Sequence, residues 1–146
     1  MDKNLHDKLN EYLANQQVMY IKLHNLHWYV KGRSFFALHA KLEELYDQTA
    51  DIIDDVAERL LALGGTPVAS VKKALALASV KELEDTAISS EDTVKALISD
   101  VDYWINDTKE IVKLAEAEDD GPTADLFTGY LGEYQKLLWM LNAYLG

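Results

Sequence analysis

Between residues 3 and 63 the chain carries one glycine, Gly32, and no proline. On both sides of that glycine, apolar residues recur at helical spacing. Leu5, Leu9, Tyr12/Leu13, Met19/Tyr20, Leu23, Leu26/His27 and Val30 mark a first helix over residues 3–31. Gly32 closes it, because glycine takes the left-handed conformation after a helix end without a Cβ penalty. Ser34 is placed to cap a second helix, with apolar positions at Leu38, Leu42, Leu45/Tyr46, Ile52/Ile53, Val56, Leu60 and Leu63. Gly64-Gly65-Thr66-Pro67 ends it. Two long amphipathic helices with so short a break between them fold side by side.

Residues 66–90 have a different character. Val71–Ala78 predicts one or two helical turns inside a long connection, which can carry the chain back along a bundle as a tight turn cannot. Ser89 or Ser90, followed by Glu91 and Asp92, caps a third helix running to about Ala117. Asp119-Asp120-Gly121-Pro122 breaks the chain, and Pro122 suits an early helical position of a fourth helix that runs to about Tyr144. With 146 residues, 49% apolar, and only two prolines and seven glycines, the chain reads as a single all-α domain over residues 1–146. Four helices with one long crossover are the pattern of a ferritin-like four-helix bundle, here with a short extra helix between helices 2 and 3. A cytokine-like or purely structural bundle shares the helix count, so periodicity alone assigns no function.

Composition removes several chemistries. There is no cysteine, so disulfides, thiolate zinc sites and cysteine nucleophiles are excluded. No apolar run approaches the roughly 18 residues of a membrane span. Met1–Asn10 is too polar for a signal peptide, which leaves a soluble, cytoplasmic protein as the expectation. The formal net charge of −11 repels nucleic acid and suits metal cations. Lys3 and Lys8 are offset by Asp2 and Asp7, and neither end of the sequence reads as a lysine-rich tail.

All four histidines, His6, His24, His27 and His39, lie in the first 39 residues. A ferritin-like di-iron bundle normally carries a Glu-x-x-His pair on each of two helices, and this sequence has none. The second helix offers another construction. His39 and Glu43 are four apart, as are Asp54 and Glu58, so each pair shares a helix face. At about 100° per residue all four side chains fall in one stripe, yet Glu43 and Asp54 stand about 16 Å apart along the axis. One ion cannot touch both pairs in one chain. The positions are, however, symmetric about the midpoint between residues 48 and 49. Two copies of this helix packed antiparallel about a two-fold axis would set His39 and Glu43 against Glu58 and Asp54 of the mate, twice per dimer. His27 joins His39 because the turn at Gly32 folds the first two helices together. Alone, His27 beside Trp28 reads as a core histidine, and Asp54 with Glu58 as a solvated face. Their symmetry makes a shared site the stronger reading. Nitrogen and oxygen donors without sulfur suit iron(II) or manganese and admit zinc.

The same residues carry a family resemblance. His27-Trp28-Tyr29-Val30-Lys31-Gly32, five residues, Leu38-His39, three residues, Glu43 is similar to the first motif of the Dps-type mini-ferritins. Ile53-Asp54-Asp55-Val56-Ala57-Glu58-Arg59, followed by Leu63-Gly64-Gly65-Thr66-Pro67, resembles the second. The short middle helix and Lys136-Leu137-Leu138-Trp139-Met140-Leu141 resemble further family features, so the likeness spans nearly the whole chain. It implies a dodecameric shell of tetrahedral symmetry, with ferroxidase sites shared between subunits on the dimer two-folds. It implies oxidation of iron(II), preferentially by hydrogen peroxide, and storage of ferric mineral inside, which protects the cell from oxidative damage. The ligands it implies are His27, His39, Glu43, Asp54 and Glu58.

The chain also departs from the family pattern. Many members have aspartate where Glu43 stands, and many have an acidic residue where this chain has Ala40. Glu44 is then the candidate nucleation carboxylate, while Glu118, Asp119, Asp120 and Asp125 are candidates for an acidic three-fold pore. Two other functions stand beside this one. Some members condense DNA through lysine-rich tails, but the charge here predicts weak or no direct DNA binding, with binding bridged by divalent cations left open. A non-enzymatic helical bundle is the third reading, and it predicts that the histidines do not matter for metal uptake.

Overall fold

The structure, a computed structural model, describes residues 1–146. Four long helices form the body: α1 (Lys3–Tyr29), α2 (Phe35–Ala62), α4 (Ser90–Ala117) and α5 (Gly121–Leu145). A short α3 (Val71–Leu77) lies in the crossover and packs on α1. Helix α1 packs along α2, α4 along α5, and α1 also meets α4. No helix is long and apolar enough to cross a membrane.

The expected serine cap acts at α4 and not at α2. The Ser89 side chain accepts from the amide of Asp92, and Asp120 accepts from the amide of Thr123. Ser34 occupies the cap position of α2, but its side chain makes no capping bond. Helix α1 ends two residues earlier than the periodicity suggests. Val30 and Lys31 leave the helix and form a two-residue strand β1, paired in parallel with β2 (Ile88–Ser89) in the register Val30–Ile88 and Lys31–Ser89. The all-α class thus contains one small strand pairing. The returning crossover passes the exposed backbone after α1 and satisfies it. Because β1 leads toward α2 and β2 into α4, the parallel pairing puts the starts of α2 and α4 at the same end of the bundle. That arrangement requires a long crossover. Gly32, at φ +114°, makes the bend, and the Ser90 hydroxyl donates to Lys31 O at 2.9 Å across it.

The core is apolar along α1, α2 and α4, centred on Tyr12, which lies edge-on to Trp104 (4.9 Å) and Phe127 (5.0 Å). Each fully buried leucine here, Leu9, Leu13, Leu26, Leu42 and Leu60 among them, contributes about 1.5–3 kcal/mol of burial. Helix α1 also buries a set of amides that periodicity does not reveal. Asn10 accepts from the amide of Val68 (2.8 Å) and donates to Thr66 O (2.9 Å). Asn15 accepts from the amides of Ser79 (2.7 Å) and Val80 (2.9 Å), and Gln17 donates to Val68 O. These side chains satisfy backbone groups that the crossover, lacking a ladder of its own, would otherwise bury unpaired. Two ion pairs, Lys22 with Asp100 at 2.7 Å, which is buried, and half-buried Lys8 with buried Asp107, tie α1 to α4. Burial pushes both aspartate carboxyls above the ordinary range, against the pull of their lysines.

Candidate metal centre

The turn at 30–34 lays the last part of α1 against the first part of α2, and His27 meets His39 there. Their rings stack with centroids 3.6 Å apart and planes 12° from parallel. The Nδ1 of His27 lies 2.7 Å from His39 O, and the Nδ1 of His39 lies 2.7 Å from His27 O. A carbonyl oxygen only accepts, so both Nδ1 atoms carry a hydrogen, and each ring in its neutral form has its free lone pair on Nε2. His27 O belongs to the last turn of α1, whose carbonyls lack intrahelical partners, so the His39 ring also caps that helix. His27 is buried, at 6% exposure, and Phe35 stacks on the His39 ring at 4.9 Å.

Glu43 stands one turn beyond His39, with its Oε1 4.0 Å from the Nε2 of His27. Metal bonds of about 2.0–2.2 Å to nitrogen and oxygen allow one ion to bridge donors up to about 4 Å apart. The Tyr46 hydroxyl donates to the same Oε1 at 3.2 Å. Desolvation first, then the charge of Glu43, raises the Tyr46 phenol, which therefore stays protonated and able to donate. Asp54 and Glu58 lie exposed farther along α2, with no ion pair between Glu58 and the neighbouring Arg59. Arg59 turns instead to Asp120 (3.0 Å) and Thr123 (2.8 Å) at the start of α5. Within one chain no three histidine, aspartate or glutamate side chains converge into a metal cluster. A single chain therefore offers two separated parts: His27, His39 and Glu43 at one end of α2, and Asp54 and Glu58 at the other.

Comparison with known proteins places the chain in a family. The ferritin-like domain profile matches residues 6–146. General stress protein 20U of Bacillus subtilis is 45% identical over 146 residues, covering 100% of both chains. DNA protection during starvation protein 2 of Bacillus anthracis is 42% identical over 145 residues, covering 99% of each. The Dps protein of Vibrio cholerae O1, described as a member of a broad superfamily of ferritin-like diiron-carboxylate proteins, superposes with a TM-score of 0.93. It is 36% identical and covers 99% of this chain and 90% of its own.

The chain belongs to the Dps-type mini-ferritins.

For a Dps-type chain, the remaining candidates fall in distinct settings. Glu44 is exposed and pairs with Lys41 at 3.2 Å. Glu118, Asp119 and Asp125 are exposed around the α4–α5 turn. Asp119 takes φ +54°, the left-handed position that follows a helix end. Asp120 is engaged on every side, accepting from Arg59, from the Thr123 amide (3.1 Å) and from the Thr123 hydroxyl (2.5 Å). Burial works against its ionisation, but the Thr123 hydrogen bonds and the Arg59 charge outweigh it and hold the carboxyl below the usual range. Sequence reasoning missed Tyr46 and His24 as neighbours of the site. The available signal was spacing, since Tyr46 lies three residues from Glu43 and His24 three from His27, each pair on one helix face.

Proposed function

We propose that this Dps-type chain oxidises iron(II) with hydrogen peroxide at sites completed by two subunits, and stores the ferric product inside a dodecameric shell. The observation that carries this reading is the pair of locked imidazoles. Both present Nε2 lone pairs, with the Glu43 carboxylate 4.0 Å from one of them, and the same chain brings no further histidine or carboxylate to join these three. Asp54 and Glu58, placed symmetrically about the middle of α2, are the donors that a two-fold mate would bring. Supporting the reading, the Vibrio cholerae relative is described as a diiron-carboxylate protein and the Bacillus anthracis relative as a DNA-protection protein.

Iron is the substrate. Two iron(II) ions each give one electron to one peroxide, which takes up two protons and leaves as two waters, so no hydroxyl radical is released. His27, His39 and Glu43 of one chain, with Asp54 and Glu58 of the mate, hold the ions. The three carboxylates favour iron(III) and thereby the forward direction. Zinc and manganese suit the same donors and compete for them. With a net charge of −11 per chain, protection of DNA comes from removing iron and peroxide rather than from coating the duplex. The cytoplasm, where both reactants arise, is the proposed location.

The test is anaerobic loading with iron(II) followed by a single addition of peroxide, comparing the parent with a His39→Ala/Asp54→Ala variant by ferric absorbance. Fast oxidation in the parent and a large loss in the variant, with the shell intact by light scattering, supports the reading. Equal, slow oxidation in both would return the chain to the structural-bundle reading.

A further inference from the structure

Glu43 is the one ligand candidate in the histidine half of the site that is not locked by backbone contacts. Its side chain is 58% exposed, and a free glutamate in such a position samples many rotamers. Here it does not swing freely, because the Tyr46 hydroxyl holds Oε1 at 3.2 Å while that oxygen stands 4.0 Å from His27 Nε2. Tyr46 is itself held. Its ring stacks on His24 at 3.9 Å and 19°, and lies edge-on to His27 at 5.3 Å and to Tyr20 at 6.1 Å. His24 is oriented in turn by its Nδ1, which donates to Tyr20 O at 2.8 Å. A continuous chain of contacts therefore runs from the backbone of α1 through His24 and Tyr46 to the Glu43 carboxylate.

We propose that Tyr46, with its ring steadied by His24, is a positioning residue that presets Glu43 at bridging distance from His27 before metal arrives. The proposal rests on the metal-site reading above. Its chemistry is preorganisation: a donor fixed in place beforehand loses less freedom on binding, and the gain appears as affinity. Tyr46 does not itself ligate. Its hydroxyl takes one lone pair of Oε1, leaving the other lone pair and Oε2 for the ion.

The readout is anaerobic binding of cobalt(II) to the assembled protein, followed by visible absorption, together with KM and kcat for iron(II) oxidation by peroxide. The variants are Tyr46→Phe, Glu43→Gln, the two combined, and His24→Ala. Phenylalanine keeps the ring and its stack on His24, so the melting temperature should hold. Cobalt affinity should fall roughly 3- to 10-fold, as expected for loss of one solvent-exposed hydrogen bond. KM for iron(II) should rise more than kcat falls. In the Glu43→Gln background, Tyr46→Phe should have little further effect on affinity. His24→Ala should reproduce part of the Tyr46→Phe loss, and unchanged affinity would remove His24 from the proposal. If the parent binds no cobalt, the metal-site reading fails. If the parent binds and Glu43→Gln weakens it while Tyr46→Phe does not, the site stands and the positioning role is overturned. An equal loss from Tyr46→Phe in both backgrounds would overturn it too.

Discussion

His27 and His39 orient each other, each donating from Nδ1 to the other's backbone carbonyl at 2.7 Å. The exchange fixes both tautomers and turns both Nε2 lone pairs away from the backbone. Outer hydrogen bonds that fix a ligating histidine typically contribute 10- to 100-fold in metal affinity. Here the partner of each ring is the main chain of the other histidine, so the two rings orient each other without a separate carboxylate.

Replacing one histidine should therefore remove a donor while leaving the other ring still anchored. His39→Ala keeps the carbonyl that His27 needs and should retain helical content. Iron(II) affinity, measured by anaerobic titration, should drop roughly 10- to 100-fold. A variant that binds iron as the parent does would remove His39 from the site.

The buried pair of Lys22 and Asp100 joins α1 to α4, with side-chain exposures of 7% and 12%. Removing one partner of such a pair costs about 3–5 kcal/mol, because the other charge is left buried. Lys22→Met should show that loss by denaturant unfolding at neutral pH, and Lys22→Met/Asp100→Leu should recover most of it. Burial already raises the Asp100 carboxyl, and the variant loses the lysine that offsets this. A raised carboxyl costs stability as pH climbs from its unfolded value of about 3.9 toward its folded value. The single variant should therefore lose less at acidic pH than at pH 7. An equal loss at both would mean that Asp100 is not the group left stranded.

Asp120 shows the opposite sign. Its carboxyl is held below the usual range, so its contribution is present above the unfolded value of about 3.9 and is lost as pH falls through the lower folded value. Asp120→Ala removes the α5 cap and the Arg59 contact, and the cap alone is worth about 0.5–2 kcal/mol. The melting-temperature difference from the parent should be largest near neutral pH and shrink toward pH 3. A difference that stayed constant would assign the effect to packing.

Gly65 is a glycine because of what lies against it. A Cβ there would stand 2.8 Å from Cδ2 of His6 and 3.2 Å from Leu60 O. The His6 ring occupies that space to accept from the Thr66 amide at 3.1 Å. Gly65→Ala should cost roughly 1–3 kcal/mol as an overpacking change and loosen the start of the crossover. Hydrogen exchange at Thr66 and Val68 should rise. Unchanged protection would show that the ring and the turn yield at little cost.

Much of this was legible in the chain itself. Helical periodicity with breaks at Gly32, Gly64-Gly65 and Gly121-Pro122 determined four helices and a long crossover, because helix spacing is a local property of covalent geometry. The pairs His39/Glu43 and Asp54/Glu58 were equally readable, since one helix sets the distances among its own residues, and their symmetry already argued for a mate. Tertiary structure decided what periodicity cannot carry. The parallel pairing of Val30–Lys31 with Ile88–Ser89, the Asn10 and Asn15 grips on the crossover, and the turn of Arg59 away from Glu58 to Asp120 all join residues distant in sequence. So does the exchange between His27 and His39, which needs α1 and α2 to meet at one particular rotation. Helix spacing fixes which residues share a face. Only packing decides which faces meet, and thus which nitrogen of each histidine is left free.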